Sequence, residues 1–200
     1  MKEEAAESAD VGASKKGSAS IPALVAIVAA IVLCASFFLP FTTVKDDSIV
    51  GNEFAKSFEV VEGSGVTVDE MAKPSLVTWA RAYKAYGEKL SSTASSSLND
   101  YSMMFWVIAI AGVNAALALL FALLRKATPT TLFALACLAL FSFTCFYFES
   151  YGPVSSGAAS VWAFGRMVAL GAATVLAAAG IWLFVAKRKD KRVDTASAAA

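Results

Sequence analysis

The sequence predicts an all-α membrane protein, a four-helix transmembrane bundle with an extracytoplasmic cap between helices 1 and 2. Three observations predict it. First, the runs Ile21–Phe41, Tyr101–Leu124, Ala127–Phe148 and Met167–Ala186 each hold 20 or more residues without Asp, Glu, Lys or Arg. About 20 apolar residues carry a helix across about 30 Å of hydrocarbon. Second, 58% of the residues are hydrophobic and 16% charged, against about 45–50% and 25% in soluble domains. Third, the basic residues gather beside the runs, at Lys15-Lys16, Arg125-Lys126 and Lys187–Arg192.

The basic clusters predict the topology. Placed on the cytoplasmic side, they put both termini in the cytoplasm. Residues 42–100 then face outward, with nine acids against six bases, a net charge of −3. The connection Glu149–Ser160 holds no Lys or Arg and faces the same way. The expected organisation is a polar cytoplasmic tail (1–20), helix 1 (21–41), the cap (42–100), helix 2 (101–124), helix 3 (127–148), a short outer loop (149–160), helix 4 (161–186) and a basic tail (187–200). The alanine-rich composition and short tails favour a bacterial source, hence the plasma (cytoplasmic) membrane. Trp106, Tyr101, Tyr147, Tyr151, Trp162 and Trp182 lie near run ends, where amphipathic rings anchor to headgroups.

Each element has its own signal. Helix 1, at 21 residues, exceeds the 7–15 apolar residues of a signal peptide. Leu33 before Cys34 does not suit lipoprotein processing. Pro40 marks the exit from that helix. Thr128-Pro129 reads as an N-cap with proline at the first helical position of helix 3. So short a connection makes helices 2 and 3 antiparallel neighbours. In the cap, Phe58-Glu59-Val60 and Val66-Thr67-Val68 flank Glu62-Gly63-Ser64-Gly65, the pattern of a small β-hairpin; Phe54, Phe58 and Val61 also fit a helical stripe. Thr67 and Glu70 match a capping box, and Pro74 kinks or restarts the helix after it. From Pro74 to Leu90, the residues Leu76, Trp79, Ala80, Tyr83, Tyr86 and Leu90 share one helical face. Thr78, Arg81, Lys84, Glu88 and Lys89 occupy the other. Ser91–Ser97 reads as a flexible lead.

Few residues are candidates for chemistry. Histidine is absent, which removes imidazole-based metal and acid–base chemistry. No nucleophile motif, phosphate loop or dinucleotide fingerprint occurs. The acids Asp46-Asp47 and Asp69-Glu70 read as solvated loop charges. No cofactor, metal or nucleic-acid partner is expected, and the protein is expected not to be an enzyme.

Asn114, at mid-membrane depth, needs a hydrogen-bond partner. Ala111, Ala115, Ala118 and Ala122 make a small-residue face beside it; Gly165, Ala169, Ala173 and Ala177 make another in helix 4. Thr174 is the expected interhelical partner of Asn114. Arg166 snorkels to the outer headgroups or pairs with Glu149 or an acid of the cap. With Trp79, Tyr83 and Tyr86 it forms the expected outer interface.

Four helices with a large first outer loop resemble the plan of claudin-like and tetraspanin-like proteins in topology. The outer-loop cysteines and the Trp-Gly-Leu-Trp and Cys-Cys-Gly elements of those families are missing, so no function is carried over. The expected role is an interaction, scaffold or ligand-sensing component acting through the cap. Its partners are the lipid bilayer and another membrane or extracytoplasmic protein, or a second copy. The alternative is a small transporter or channel subunit, with Asn114 and Thr174 on a polar path.

Overall fold

The computed structural model describes residues 20–45, 56–91 and 98–198. Asp46-Asp47, Phe54, the tail before Ser20 and most of Ser91–Ser97 lie outside them. The elements in chain order are α1 (Ser20–Ser36), β1 (Thr42–Val44), a 3-10 turn (Glu70–Ala72), α2 (Leu76–Ser91), α3 (Leu98–Leu123), α4 (Ala127–Ser150), β2 (Ser160–Trp162) and α5 (Phe164–Ala198). The chain is mostly helical. Three helical stretches are long and apolar enough to cross a membrane: Tyr101–Leu123, Ala127–Ser150 and Phe164–Lys189.

α1 is apolar but shorter than its run predicts, at 17 residues. It stops at Ser36 because Phe37, Phe38 and Leu39 tighten into turns onto Cys34, Ala35 and Ser36. Pro40 then holds Leu39 away from the helical region. Pro40 pairs with Ser75, and the Phe41 N–H donates to the Pro74 carbonyl at 2.8 Å. The end of α1 is thus tied to the start of the cap helix.

The four apolar helices pack in a ring: α1 touches α3 and α5, and α4 touches α3 and α5. Small residues make the close approaches. Ala26, Ala30, Ala111, Ala115, Ala118, Ala134, Ala169 and Ala173 are all at most 1% exposed. In lipid no hydrophobic drive brings helices together, and close van der Waals packing of this kind replaces it. Both predicted small-residue faces lie in the core.

The α3–α4 connection is tighter than expected. Helix α4 begins at Ala127 with Lys126 before it, making no side-chain cap. Thr128-Pro129 therefore falls inside the first turn rather than at the cap. Proline is tolerated there because first-turn N–H groups have no intrahelical acceptor. Arg125, at φ 54°, ends α3 in the left-handed conformation. The N–H groups of Arg125 and Lys126 close onto the carbonyls of Ala122 and Phe121 at 3.0 and 2.9 Å, a Schellman closure with arginine in glycine's usual place.

One element has no counterpart in the sequence reading. β1 pairs antiparallel with β2, with Thr42 opposite Trp162, Thr43 opposite Val161 and Val44 opposite Ser160. Bonds from Ala163 to Phe41 (3.1 Å), Gly165 to Pro40 (3.0 Å) and Lys45 to Ala159 (2.7 Å) lengthen the ribbon. It joins the exit of α1 to the start of α5.

Candidate functional site

The expected small hairpin of the cap is a single antiparallel bridge, Glu59 to Thr67. Val60 donates to Val66 at 2.9 Å and Val68 to Phe58 at 3.0 Å. Gly63 and Gly65, at φ 83° and 61°, let the chain reverse where a side chain would strain it. Val61 and Val66 point inward and are buried, whereas Phe58 is exposed. The capping box forms reciprocally: Thr67 N–H to Glu70 Oε2 at 3.3 Å, Glu70 N–H to Thr67 Oγ1 at 3.2 Å.

Pro74 precedes α2 and does not kink it. Ser75 caps that helix, its Oγ accepting from the Thr78 N–H at 3.1 Å. The two faces of α2 follow the prediction in part: Leu76 and Tyr83 are buried, Trp79, Ala80 and Tyr86 are half-buried, and Arg81, Lys84, Glu88 and Lys89 are exposed, but Thr78, expected on the polar face, is half-buried as well. Ala82 and Ala85 are buried too, outside the predicted stripe. The hairpin explains this, because it folds against α2. Arg81 donates to the Gly65 carbonyl and pairs with Glu70 at 3.8 Å; Lys89 pairs with Glu62 at 3.0 Å. The hydrogen bond and the charge of Lys89 hold the Glu62 carboxyl below the usual range.

The cap helix docks through rings. Phe148, at the end of α4, lies 5.4 Å from Trp79, 6.2 Å from Tyr83, 6.0 Å from Phe41 and 6.1 Å from Trp162 between centroids. Tyr101 of α3 meets Tyr83 and Tyr86 at 6.0 and 5.7 Å. Trp79 Nε1 donates to Thr42 Oγ1 at 3.1 Å, which gives the buried hydroxyl and the half-buried indole a partner. Burial, and secondarily the hydroxyls of Tyr147 and Tyr101, push the Tyr83 phenol above its ordinary range.

Arg166 pairs with Glu149 at 3.4 Å and lies 4.3 Å from the centre of the Trp162 ring. Trp162 Nε1 donates to the same Glu149 carboxylate at 3.0 Å. Glu149 stands at the C-terminal end of α4 and Arg166 at the N-terminal end of α5, each at the end its helix dipole disfavours. Pairing them offsets both penalties. Of the two readings for Arg166, pairing with Glu149 is the geometry found. Trp162 is a member of this cluster as well as a ring near a run end.

The interhelical contact expected of Asn114 and Thr174 is not formed. Asn114 Nδ2 donates to the Ile110 carbonyl at 2.8 Å, and Thr174 Oγ1 to the Leu170 carbonyl at 2.8 Å. Each bonds within its own helix, because α3 and α5 lie across the ring from one another. Asn114→Leu should therefore change stability by less than about 0.6 kcal/mol, the average for an interhelical membrane hydrogen bond. A larger loss in detergent-denaturation curves would restore the interhelical role.

Tyr83 supports a pH prediction. Its folded-state pKa is raised, so the fold favours the neutral phenol. The stability it contributes is whole below the ordinary tyrosine value of about 10 and falls as pH rises above it. Quencher access to Trp79 should increase over roughly pH 10 to 12, and Tyr83→Phe should flatten that rise. An unchanged rise in the variant would show that other groups control docking.

Sequence reading found Trp79, Tyr83, Tyr86 and Arg166 but missed Phe148 and Thr42, the groups that join them. Nothing local distinguishes Phe148 from other phenylalanines of its run; its position at the meeting of four segments does. Comparisons with protein-family models, curated proteins and solved structures gave no match.

Proposed function

We propose that this chain is a non-enzymatic four-span membrane protein that works through its cap, as an interaction scaffold or ligand-sensing component. The single observation that carries the reading is the way the cap is built. It is pinned to the helices by an aromatic layer and to itself by Arg81 and Lys89, and it leaves Lys84, Glu88 and Phe58 exposed. A rigid surface of this kind suits recognition.

The helix ring gives less support to transport. The buried hydroxyls of Ser36, Thr130 and Thr144 bond carbonyls three or four residues before them at 2.6–2.9 Å. Alanine, leucine and phenylalanine dominate the remaining interior. Among the described residues no chain of polar groups runs through it.

The fourth crossing is made by α1 together with the apolar turn that follows. Seventeen helical residues give about 25 Å at 1.5 Å per residue. Phe37–Phe41 extend that length while the N–H groups of Phe37, Phe38, Leu39 and Phe41 find carbonyl partners, the condition for non-helical backbone at membrane depth. The basic clusters favour both termini in the cytoplasm and the cap outside, and the alanine-rich composition favours a bacterial plasma membrane.

Cysteines introduced at positions 5 and 195 should resist an impermeant maleimide in intact cells, while one at position 95 should react. Reaction at both ends would reverse the orientation. A photo-crosslinking residue at position 58 or 84 should yield discrete adducts in native membranes. Absence of adducts at both positions would overturn the interaction reading.

A further inference from the structure

At the end of the ring opposite the cap, the α3–α4 turn lies beside the last apolar turns of α5. A cleft of about 410 Å³ opens there, lined by Lys126, Thr128, Pro129, Phe184, Lys187 and Arg188. Three of these carry positive charge and none carries negative charge. Two of the cations are held in place. Lys187 Nζ donates to the Arg125 carbonyl, and the Arg188 guanidinium lies 4.4 Å from the centre of the Phe184 ring.

A second cleft of about 280 Å³ runs on between α4 and α5, lined by Thr128, Thr131, Leu132, Leu135, Ile181 and Phe184. Thr128 and Phe184 belong to both clefts. The combined site has a cationic mouth at the end of the spans and an apolar trough along them. That is the shape and charge order of a phospholipid: an anionic phosphate at the boundary and an acyl chain in hydrocarbon.

We propose that this double cleft binds one anionic phospholipid of the leaflet at that end. The proposal rests on the membrane-spanning reading above. Fixed cations distinguish it from the diffuse attraction of a basic tail for an anionic surface. Basic pockets between membrane helices bind anionic headgroups by the same physics. The long Lys and Arg stems also lie well against an apolar trough while their charges stay at its mouth.

Native mass spectrometry of the full chain in a neutral detergent tests this, with dioleoyl phosphatidylglycerol, dioleoyl phosphatidylcholine and inorganic phosphate as probes. Retention of phosphatidylglycerol should exceed that of phosphatidylcholine by about tenfold or more. Lys126→Gln, Lys187→Gln and Arg188→Gln should each lower it about fivefold, and Lys187→Arg should restore it. Neutralising Lys189, Lys191 and Arg192 together should leave it unchanged. Leu135→Trp, which fills the trough, should reduce phosphatidylglycerol retention.

Equal retention of the two lipids would overturn the site, as would equal losses from the cleft and tail substitutions. Displacement of phosphatidylglycerol by millimolar inorganic phosphate, unaffected by Leu135→Trp, would make it a free-anion site and overturn the lipid assignment. Release of the protein from membranes by alkaline carbonate would overturn the spanning reading itself, separately from a failure of the site in protein that stays embedded.

Discussion

Phe148→Ala is expected to be the most damaging single substitution, costing about 3–5 kcal/mol as large-to-small changes of buried aromatics do. Phe148 is 0% exposed and packs on Phe41, Trp79, Tyr83 and Trp162. These rings come from the α1 exit, the cap helix and β2, so one cavity loosens three attachments. Each aromatic pair adds about 0.5–1.5 kcal/mol beyond its buried area. Trp79 and Trp162 should become accessible to an aqueous quencher in the variant. Phe148→Leu, which keeps most of the volume but loses the four ring contacts, should cost less than Phe148→Ala. If alanine costs less than about 1 kcal/mol in detergent-denaturation curves, the ring layer is not what holds the cap.

Gly165→Ala should be the second. Gly165 is buried in the first turn of α5, and its N–H donates to the Pro40 carbonyl at 3.0 Å. A Cβ there would overlap that carbonyl oxygen and approach the Leu39 oxygen at 3.2 Å. The obstacle is backbone, so it cannot rotate away as a side chain would. The expected cost is about 1–3 kcal/mol, with loss of the β1–β2 ribbon that this contact registers. Gly171 is the control. It lies in the same helix, and a Cβ there would meet nothing within 4 Å. Gly171→Ala should stabilise by up to about 0.8–1.0 kcal/mol through helix propensity alone. Opposite signs for one substitution at two positions would separate close approach from propensity. Destabilisation by both would point to a shared helix-packing requirement instead.

These two positions show how far local pattern reaches. Gly165 stood out as the first member of an every-fourth stripe with Ala169, Ala173 and Ala177. The stripe correctly marked a packed face, since periodicity shows which side of a helix is buried. It did not show that Gly165 meets the backbone of the α1 exit at Pro40, far earlier in the chain. Asn114 and Thr174 were paired by depth alone. Depth follows from helical rise, but azimuth around the ring follows from which helices are neighbours, and these two sit on opposite members.

What the sequence by itself determined is carried by features that act within one segment. Charge-free length marked the apolar helices. The 3.6-residue stripe marked the cap helix from Leu76 onward, and the Thr67–Glu70 pair marked the reciprocal cap of the turn before it. Each arises from solvation or short-range hydrogen bonding and needs no distant partner. Only the tertiary structure decided the rest: the early end of α1 at Ser36, the pairing of Thr42–Val44 with Ser160–Trp162, the Glu149–Trp162–Arg166 cluster and the ring layer around Phe148. Each of these joins residues of separate segments, and three-residue strands have no period to read. Their partners are chosen by the packing of the helix ring, which brings the α1 exit, the cap and the start of α5 to one place.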